Sequence, residues 1–583
     1  MTSSSASQSV LCNADILLRI FEALKEVLSP EGTSRQRTEL AQCTRVCKAF
    51  EDPAARVLWA EIGDILPLLE LLPSSLFLIR EGREDQDIDR QYPTYVLNKE
   101  IDPQEWERFR RHASSVRILA ATSDPAGNEV SKEDEDCGYD ARGHGDEDSD
   151  SEDNDDDDSE GEELDDYTAI SASIWTYLMR QNAYQPLLPG IRYLEWEIDD
   201  PSSTELLWLV APSLRRLHLG FRTIMTFPEE EWSLSIPLLF RSVIKLTPLL
   251  THLTISSKNV PVQYIQSIVA DCKGHGVALR VLELERDYPE CALDHEVIWE
   301  HKFVELEDLQ DLKLAVVYSQ LPAYRSSELR VMEEHRNLRA LTIADHSGRE
   351  EVYRAFKAPN LRSLTVVHKT RLKVSAWRRI CDTIASQFSS ITAIHIDFRP
   401  FSPGTPRSDD MPSAAVQPLF ELPNIEVASF DLRHSGFIMS DADVAAMAEA
   451  WPQLTSLSLK QPHFFDRALG LGIPALLSLA RSGAKLKTVH FHSLNLSSKT
   501  FSETRNEKGL PCNQSLRSVR VRSLWNDLGE AEEFPAFCMF MDTLFPNLDV
   551  NESGDGGSGE IQGRKEWADV LHCIRESRRS RLT

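Results

Sequence analysis

A short apolar pattern, apolar-x-x-apolar-x-apolar, recurs along most of the chain and constrains its fold more than any other feature. Thirteen copies follow residue 190, from IRYLEW to FPNLDV, and successive copies lie 23 to 36 residues apart, with most gaps close to 30. Their second apolar residues occupy positions 194, 217, 253, 282, 312, 341, 364, 394, 428, 457, 489, 519 and 548. Apolar residues at alternate positions predict a short strand with one buried face.

The segments between the copies have the apolar spacing of helices, for example PLLFRSVIKL and SAWRRICDTIA. A strand and a helix that repeat every 20 to 30 residues or so are typical of leucine-rich repeats. The asparagine that usually follows the last leucine is missing from most copies, so the repeats are degenerate. We therefore predict an α/β fold, a curved leucine-rich-repeat-like β/α solenoid. A further copy around Val116 indicates that the solenoid begins earlier.

The charge of the chain is concentrated in one tract. The chain has a net charge of −29, and residues 124–166 hold 22 acidic residues against Lys132 and Arg142, which gives −20 in 43 residues. A segment with almost no large apolar side chain cannot offset the entropy lost on ordering, so we expect disorder there. Ser149 and Ser159 each have Glu three residues on, which suits an acid-directed kinase. A solubilising loop and a holder of basic proteins such as histones are alternative roles.

The first 60 residues have the pattern of three short helices. ILLRIFEALKEVL places Ile16, Ile20 and Leu24 on one face, and a second helix is predicted over TELAQCTRVCKAF. Asp52 and Pro53 are typical of a helix start. The two cysteines of CTRVCKAF fall one helical turn apart, and no nearby His or Cys completes a zinc site, so we expect them to pack in a core.

Residues 16–59 resemble the F-box, especially the form common in fungal F-box proteins in which leucine-rich-like repeats follow. The resemblance covers DILLRIFEAL, a polar loop and LAQCTRVCKAFEDPAARVLW. The family usually opens with Leu-Pro, whereas this chain has Cys12-Asn13. The resemblance implies docking to the adaptor subunit of a cullin–RING ligase. The residues that match this surface are Ile16, Leu17, Ile20, Phe21, Leu24, Val46, Phe50 and Trp59.

A second surface follows from the repeat geometry. Where the apolar residues of each copy point inward, positions three, five and seven line the concave face of the sheet. Acidic residues occur early in this set and basic residues late, which predicts a charge gradient for a protein target; a solvated face with no partner is the alternative. The set comprises Tyr193, Glu195, Glu197, Arg216, His218, His252, Glu283, Glu285, Asp311, Lys313, Thr342, Thr365, His395, Asp397, Ser458, Lys460, His490, His492, Arg520 and Arg522.

The sequence contains no catalytic motif: it lacks a P-loop, a GxSxG elbow, HExxH and a Gly-rich dinucleotide loop. His490 and His492 alone make a weak metal site, so we expect no metal and no cofactor. The acidic charge argues against nucleic acid, and no window is apolar enough for a membrane helix. Ten cysteines with no CxxC pair and an N-terminus unlike a signal peptide lead us to expect a cytoplasmic or nuclear protein.

The predicted function is that of a substrate-recognition subunit of a cullin–RING (SCF-type) E3 ubiquitin ligase, not itself an enzyme. The alternative is a non-ligase scaffold or chaperone-like binder of basic proteins that works through the acidic tract. The predicted organisation is a disordered N-terminus at 1–10, an F-box at 11–62, a connector and first repeat at 63–122, a disordered acidic insertion at 123–166, the solenoid at 167–550, a flexible linker at 551–563 and a C-terminal helix with a basic tail at 564–583.

Overall fold

The structure of the chain is a computed structural model. It describes residues 13–27, 33–79, 94–120, 169–198, 204–221, 229–257, 263–285, 293–294, 303–317, 334–370, 372–399, 413–433, 439–461, 471–505, 509–528, 532–550 and 564–582. The predictions for residues 1–10, for the acidic tract with Ser149 and Ser159, and for residues 551–563 lie outside the described residues.

The chain divides into two compact units, Met1–Leu250 and Thr251–Thr583. The first unit begins with three helices and continues with short strands that alternate with helices. Its helices are α1 (Ala14–Val27), α2 (Thr33–Cys43), α3 (Lys48–Leu58), α4 (Leu66–Leu69), α5 (Pro103–Ala113), α6 (Ala172–Gln181), α7 (Glu205–Leu209) and α8 (Glu229–Leu246). Its strands are β1 (Glu61–Ile62), β2 (Leu76–Ile79), β3 (Thr94–Leu97), β4 (Ile118–Leu119), β5 (Ala169–Ile170), β6 (Tyr193–Ile198) and β7 (Arg216–Phe221).

Strands β1, β4, β6 and β7 of the first unit form a parallel ladder in that order. A separate small sheet pairs β2 antiparallel to β3 and β3 parallel to β5. Since β1 follows α3 after only two residues, the N-terminal helices run directly into the first strand of the repeat ladder.

The second unit repeats the same strand-and-helix motif. Its strands are β8 (His252–Ser257), β9 (Val281–Glu285), β10 (Leu293–Asp294), β11 (Asp311–Val317), β12 (Ala340–Asp345), β13 (Ser363–His368), β14 (Ala393–Phe398), β15 (Val427–Asp431), β16 (Ser456–Lys460), β17 (Thr488–Leu496) and β18 (Ser518–Asn526). Its helices are α9 (Gln263–His275), α10 (Glu351–Arg354), α11 (Val374–Gln387), α12 (Ser413–Val416), α13 (Asp441–Ala450), α14 (Ile473–Ser482), α15 (Ser498–Arg505), α16 (Glu533–Leu544) and α17 (Arg564–Leu582), and 3-10 turns lie at Phe303–Glu305 and Gln417–Glu421.

The strands of the second unit pair in parallel in chain order, with β10 on a side branch against β11. The predicted α/β repeat fold is thus confirmed as a long parallel, leucine-rich-repeat-like ladder. Twelve of the thirteen sequence copies form strands, and FPNLDV does not. Burial alternates along β12, β13, β14 and β16: in β13, Leu364 and Val366 are fully buried, whereas Thr365 between them is half-exposed.

Helices of the second unit cover the buried face of these strands. Trp377 of α11 packs edge-on against His368 of β13 and Phe398 of β14, with ring centroids 4.7 and 5.0 Å apart. Trp451, just after α13, lies parallel to Phe430 of β15 at 6.4 Å. In these two repeats, a tryptophan from the helical side closes the core against the strands.

The N-terminal helices differ from the sequence prediction in two places. Residues 33–37, which the sequence placed in a loop, belong to α2, and the single helix predicted over 38–50 is broken at residues 44–47. Helix α3 starts at Lys48, with Cys47 at its N-cap, so Pro53 lies inside it. Cys43 packs against the helical core, whereas Cys47 is exposed, so only one of the two cysteines has the packing role predicted for both.

The C-terminal helix covers the last strand of the sheet. Trp567 of α17 is buried, and its indole Nε1 donates to the carbonyl of Val519 on β18 at 3.3 Å. Arg578 donates to Asp542 Oδ1 at 2.7 Å and to the Leu548 carbonyl at 2.7 Å, and Arg581 donates to Asp542 Oδ2 at 2.8 Å. Covering an edge strand prevents it from pairing with another chain. Two arginines of the predicted basic tail thus hold the end of the fold in place.

The contacts of Arg578 predict that its substitution lowers the stability of the second unit more than substitution of the neighbouring Arg579 does. Asp542 is only 4% exposed, so Arg578→Ala leaves a buried carboxylate with a single cation. We expect this variant to lower the stability of the second unit by about 2 kcal/mol. Arg579→Ala is the matched control, because the Arg579 side chain is exposed and its ion pair with Glu576 lies on the surface. Hydrogen exchange of α17 measures both; equal protection in the two variants would contradict the assignment.

Candidate interaction surfaces

The three N-terminal helices, hereafter the helical module (α1 to α3), enclose a small core. Leu17 and Phe21 are buried in it, and the Phe21 and Phe50 rings meet edge-on at 5.4 Å. Leu24 is partly buried against the same core. The adaptor surface predicted from the sequence included Leu17 and Phe21; the structure places them inside the module, because the face of α1 that carries them turns toward α3.

The opposite part of that surface faces solvent. Ile16 is 37% exposed and Ile20 is 49% exposed, one turn apart on α1. Val46, in the turn between α2 and α3, is 66% exposed. Exposed aliphatic side chains on a module whose own core is already filled are candidates for contact with a partner. The structure thus divides the predicted set into a buried group and an exposed group.

Trp59, which the sequence assigned to the adaptor surface, lies against α5 in the structure. Its indole stacks on the His112 ring of α5, with centroids 4.7 Å apart. Burial, with a smaller contribution from the neighbouring Arg111 and Arg108, lowers the pKa of His112 to about 4. Trp59 therefore joins the helical module to α5, and no local sequence signal pairs these two residues.

Polar contacts fix the start of α1 and tie the module to the sheet. Asn13 Oδ1 accepts from the backbone N–H groups of Asp15 and Ile16 at 3.0 and 3.3 Å, so Asn13 caps the helix. Arg37 of α2 donates to the backbone carbonyl of Glu61 at 3.0 Å, and Lys25 of α1 pairs with the Glu61 carboxylate. Two helices are thereby anchored on strand β1.

The face that carries positions three, five and seven of each repeat is called the open face here. In the first unit, Tyr193 donates to Glu195 Oε2 at 3.2 Å, and His218 Nδ1 lies 3.7 Å from Glu195 Oε1. Arg216 is directly opposite Tyr193 in the ladder. The predicted residues of this unit thus lie together on β6 and β7, where Glu195 is already engaged by its neighbours.

In the second unit, the register brings the position-five residues into one row across the open face. The row has one acidic residue, Glu283, directly beside Lys313; hydroxyl and histidine side chains follow, and the row ends at Arg520. The charge gradient expected from the sequence therefore stays a prediction. The members of the row in order are Thr254, Glu283, Lys313, Thr342, Thr365, His395, Ser429, Ser458, His490 and Arg520.

Burial and neighbouring charges shift the pKa values of two groups on the open face, Asp311 and His395. Burial raises the pKa of Asp311, and the nearby Glu283 carboxylate acts in the same direction, while Lys313 partly opposes both. Burial lowers the pKa of His395. His252 lies half-buried at position three, and Glu285 pairs in register with Ser256.

The position-seven charges are largely neutralised within the chain. Arg399 Nε donates to Asp397 at 2.6 Å, and Asp431 is held by Arg433 at 3.0 Å and Lys460 at 3.3 Å. Burial alone would raise the pKa of Asp431, but the two cations hold it below its usual range. Asp397 and Lys460 therefore contribute less free charge to a target than the sequence predicts.

The strand that carries His490 and His492 departs from simple alternation. Phe491 and His492 are both buried, so the alternation of buried and exposed residues along β17 shifts by one residue at that point. His490 remains half-exposed, whereas His492 is 2% exposed and does not line the open face. Arg520 is exposed and Arg522 is half-buried on the neighbouring β18.

Two further rows were not anticipated as functional from the sequence. Position two of each repeat forms what we call the edge row; in the second unit it comprises Thr251, Arg280, Gln310, Arg339, Arg362, Thr392, Glu426, Thr455, Lys487 and Arg517. Each carbonyl of this row accepts N–H groups from the next repeat at 2.7–3.1 Å. Just before an inward-pointing leucine, Asn337, Asn360 and Asn547 each donate to a backbone carbonyl of the preceding repeat at 2.7–2.8 Å. These three side chains add polar links between the repeats that they join.

A buried polar cluster lies beneath the end of β12. Asp345 accepts from the backbone of Ser347 and Gly348 at 2.8 and 2.9 Å and from the Tyr353 hydroxyl at 3.0 Å, and His368 Nδ1 lies 3.4 Å away. Burial alone would raise the pKa of Asp345, but these partners hold it below its usual range. Asp345, Tyr353 and His368 are completely buried, so the cluster fixes a turn and is closed to a ligand.

The part of the chain that the structure describes contains no group of three or more His, Cys, Asp or Glu side chains placed to hold a metal ion. None of its helices combines the length and hydropathy needed to cross a membrane.

Because Leu17 is buried and Ile16 is exposed, their substitution by alanine should lower the stability of the helical module by different amounts. Leu17→Ala removes a buried side chain and should lower the stability of the helical module by about 2–5 kcal/mol. Ile16→Ala should change it by less than about 1 kcal/mol, because the side chain is already hydrated. Hydrogen exchange of α1 in the two variants measures the difference. Similar losses of protection would show that Ile16 also belongs to the core.

His112 predicts a pH dependence of the contact with Trp59. Because the pKa in the folded chain is about 4 and the ordinary value is 6.5, the unfolded chain binds the proton more readily. The contribution of His112 to stability should be complete above pH 6.5 and should disappear as the pH falls toward 4. Hydrogen exchange of α5 should show this fall in the wild type and a flatter profile in His112→Gln. Identical profiles would contradict it.

Comparisons with known proteins give only distant matches. No protein-family profile and no curated protein matches the chain. Among solved structures, the complex of Rad7 and Elc1 in yeast matches at 12% identity over 69% of this chain and 90% of that chain, with a TM-score of 0.31. The TLR13–ssRNA13 complex matches at 14% identity over 62% and 52%, with a TM-score of 0.30, and the LRIM1/APL1C complex at 12% over 67% and 64%, with a TM-score of 0.26. The leucine-rich-repeat-like character of this chain therefore rests on its own strand ladder.

Proposed function

We propose that this protein is the substrate-recognition subunit of a cullin–RING (SCF-type) E3 ubiquitin ligase. The helical module docks the adaptor subunit, and the open face of the repeats binds a target protein. The observation that carries the proposal is the position of Ile16 and Ile20, which lie exposed on α1 while the other side of that helix fills the core of the module.

The docking surface is accordingly narrower than the F-box resemblance alone implies. Ile16 and Ile20, one helical turn apart, present adjacent aliphatic side chains, and Val46 offers a third. Burial of such side chains against a partner releases water and needs no rearrangement of the module core. Leu17, Phe21, Leu24 and Phe50 support the surface from within by holding α1 against α3.

The joint between the module and the repeats suits a receptor that works by proximity. Ala60, directly after α3, accepts hydrogen bonds from Arg117 and Ile118 at 2.8 and 2.9 Å, so the module ends in the first rung of the ladder. A target lysine held at a fixed position raises its effective concentration near the loaded ubiquitin carrier, and other subunits carry out the chemistry. The basic end of the row at the exposed Arg520 offers a charged contact to an acidic part of a target.

The rival hypothesis is a scaffold that binds basic proteins through the acidic tract. Deletion of residues 123–166 separates the two hypotheses. A ligase receptor keeps adaptor binding after the deletion, whereas an acidic scaffold loses its partners.

The primary test is capture of purified adaptor by the full-length protein. Ile16→Asp combined with Ile20→Asp should abolish capture, because two charges would have to be buried at the interface. The control is Leu238→Asp with Leu249→Asp, two leucines in or just after α8 that are 59% and 51% exposed. This control should bind as well as the wild type.

Circular dichroism of both variants ensures that unfolding is not mistaken for lost docking. A wild-type protein that fails to capture adaptor, or a folded double variant that still captures it, would overturn the proposal.

A further inference from the structure

The last repeats of the second unit form an open cavity lined mainly by cationic and polar side chains. Its volume is about 430 Å³. The side chains that line it are Thr455, Ala484, Lys485, Lys487, Gln514, Ser515 and Arg517. Three of these seven residues are cationic and none is acidic, so the cavity has a net positive charge within a chain whose net charge is −29.

The repeat ladder fixes the positions of these cations. Lys487 and Arg517 belong to the edge row on consecutive repeats, since the Arg517 N–H donates to the Lys487 carbonyl at 2.8 Å. Adjacent strands in a sheet lie about 4.8 Å apart, so two positive side chains emerge side by side. Lys485, two residues before Lys487, lies in the turn that precedes β17 and contacts the Gln453 side chain.

No acidic side chain among the described residues forms an ion pair with the edge-row cations at this site. Lys487 and Arg517 therefore differ from Lys460 and Arg433, which are held by Asp431. All three cations of the cavity are exposed. Like charges held together by the backbone raise the local potential, and an anionic ligand relieves that repulsion.

We propose that this cavity binds an acidic segment of the target protein, whose carboxylates lie between Lys485, Lys487 and Arg517. The guanidinium of Arg517 suits a carboxylate through paired N–H donors, the two ammonium groups add charge, and the Gln514 amide adds a neutral donor. Exposed Arg520 on the same repeat extends the positive surface onto the open face. This inference deepens the proposed function, on which it rests, by giving the chemical class of the target.

A peptide fits the site better than a nucleic acid does. Nucleic-acid binding requires cations along an extended backbone, whereas the edge row is interrupted by Thr392, Glu426 and Thr455 on the approach to the cavity. The large negative charge of the whole chain also repels a long polyanion. A short acidic segment needs only the local cluster.

The test is binding of a fluorescein-labelled Glu-Gly repeat peptide, measured by anisotropy at low salt. Lys487→Glu with Arg517→Glu should weaken binding at least about tenfold, because both cations become repulsive. Arg339→Glu with Arg362→Glu is the matched control, since these residues are also exposed neighbours in the edge row but do not line the cavity. Thermal unfolding of each variant shows that the fold is retained.

The outcomes separate specific from general attraction. A selective loss in the cavity variant supports the site. Equal losses in both variants, or no binding by either the full chain or a chain lacking residues 123–166, overturn it. Binding that appears only after this deletion supports the site and shows that the acidic tract competes for it. Tighter binding of a single-stranded oligonucleotide of equal charge would also overturn the proposal.

Adaptor capture distinguishes this inference from the proposed function. The Lys487→Glu, Arg517→Glu variant should capture adaptor normally, and the Ile16→Asp, Ile20→Asp variant should bind the peptide normally. Failure of one assay therefore leaves the result of the other intact.

Discussion

The backbone hydrogen bonds of the edge row are the constraint on which the rest of the structure depends. In every regular repeat, one carbonyl accepts the N–H groups of the second and third residues of the next repeat, which sets the register of each strand before any side chain contributes. The same bonds place every position-five side chain in one row across the second unit. The order of charges on the open face and the pairing of Lys487 with Arg517 both follow from this register.

The hydrophobic core is organised one repeat at a time around that ladder. Apolar strand positions pack against Trp377 of α11 in one layer and against Trp451, just after α13, in another, and differences in repeat length fall in the connecting segments. Such modular burial explains why the repeats tolerate degeneracy. The Asn337 and Asn360 side chains add hydrogen bonds to the backbone of the preceding repeat.

The sequence predicted the features that depend on local periodicity and missed those that depend on contacts distant in sequence. Alternating apolar residues located twelve strands correctly. The break in the second helix was missed because the apolar spacing of Leu40, Cys43, Cys47 and Phe50 continues across residues 44–47. All four of Ile16, Leu17, Ile20 and Phe21 are large apolar residues. The sequence therefore could not show that Leu17 and Phe21 are buried while Ile16 and Ile20 are exposed. The stacking of Trp59 on His112 joins residues 53 positions apart, and the shift at His492 occurs within one strand, so neither has a signal in the pattern.

The direct passage from α3 into β1 has a consequence for any study of isolated parts. Ala60 and the strand after it are hydrogen-bonded to Arg117 and Ile118. A fragment that ends soon after the helical module would expose this strand edge together with unsatisfied carbonyl and N–H groups. Such an edge is a template for self-association. The helical module therefore also caps the sheet. Its excision exposes a strand edge that is hydrogen-bonded in the full chain.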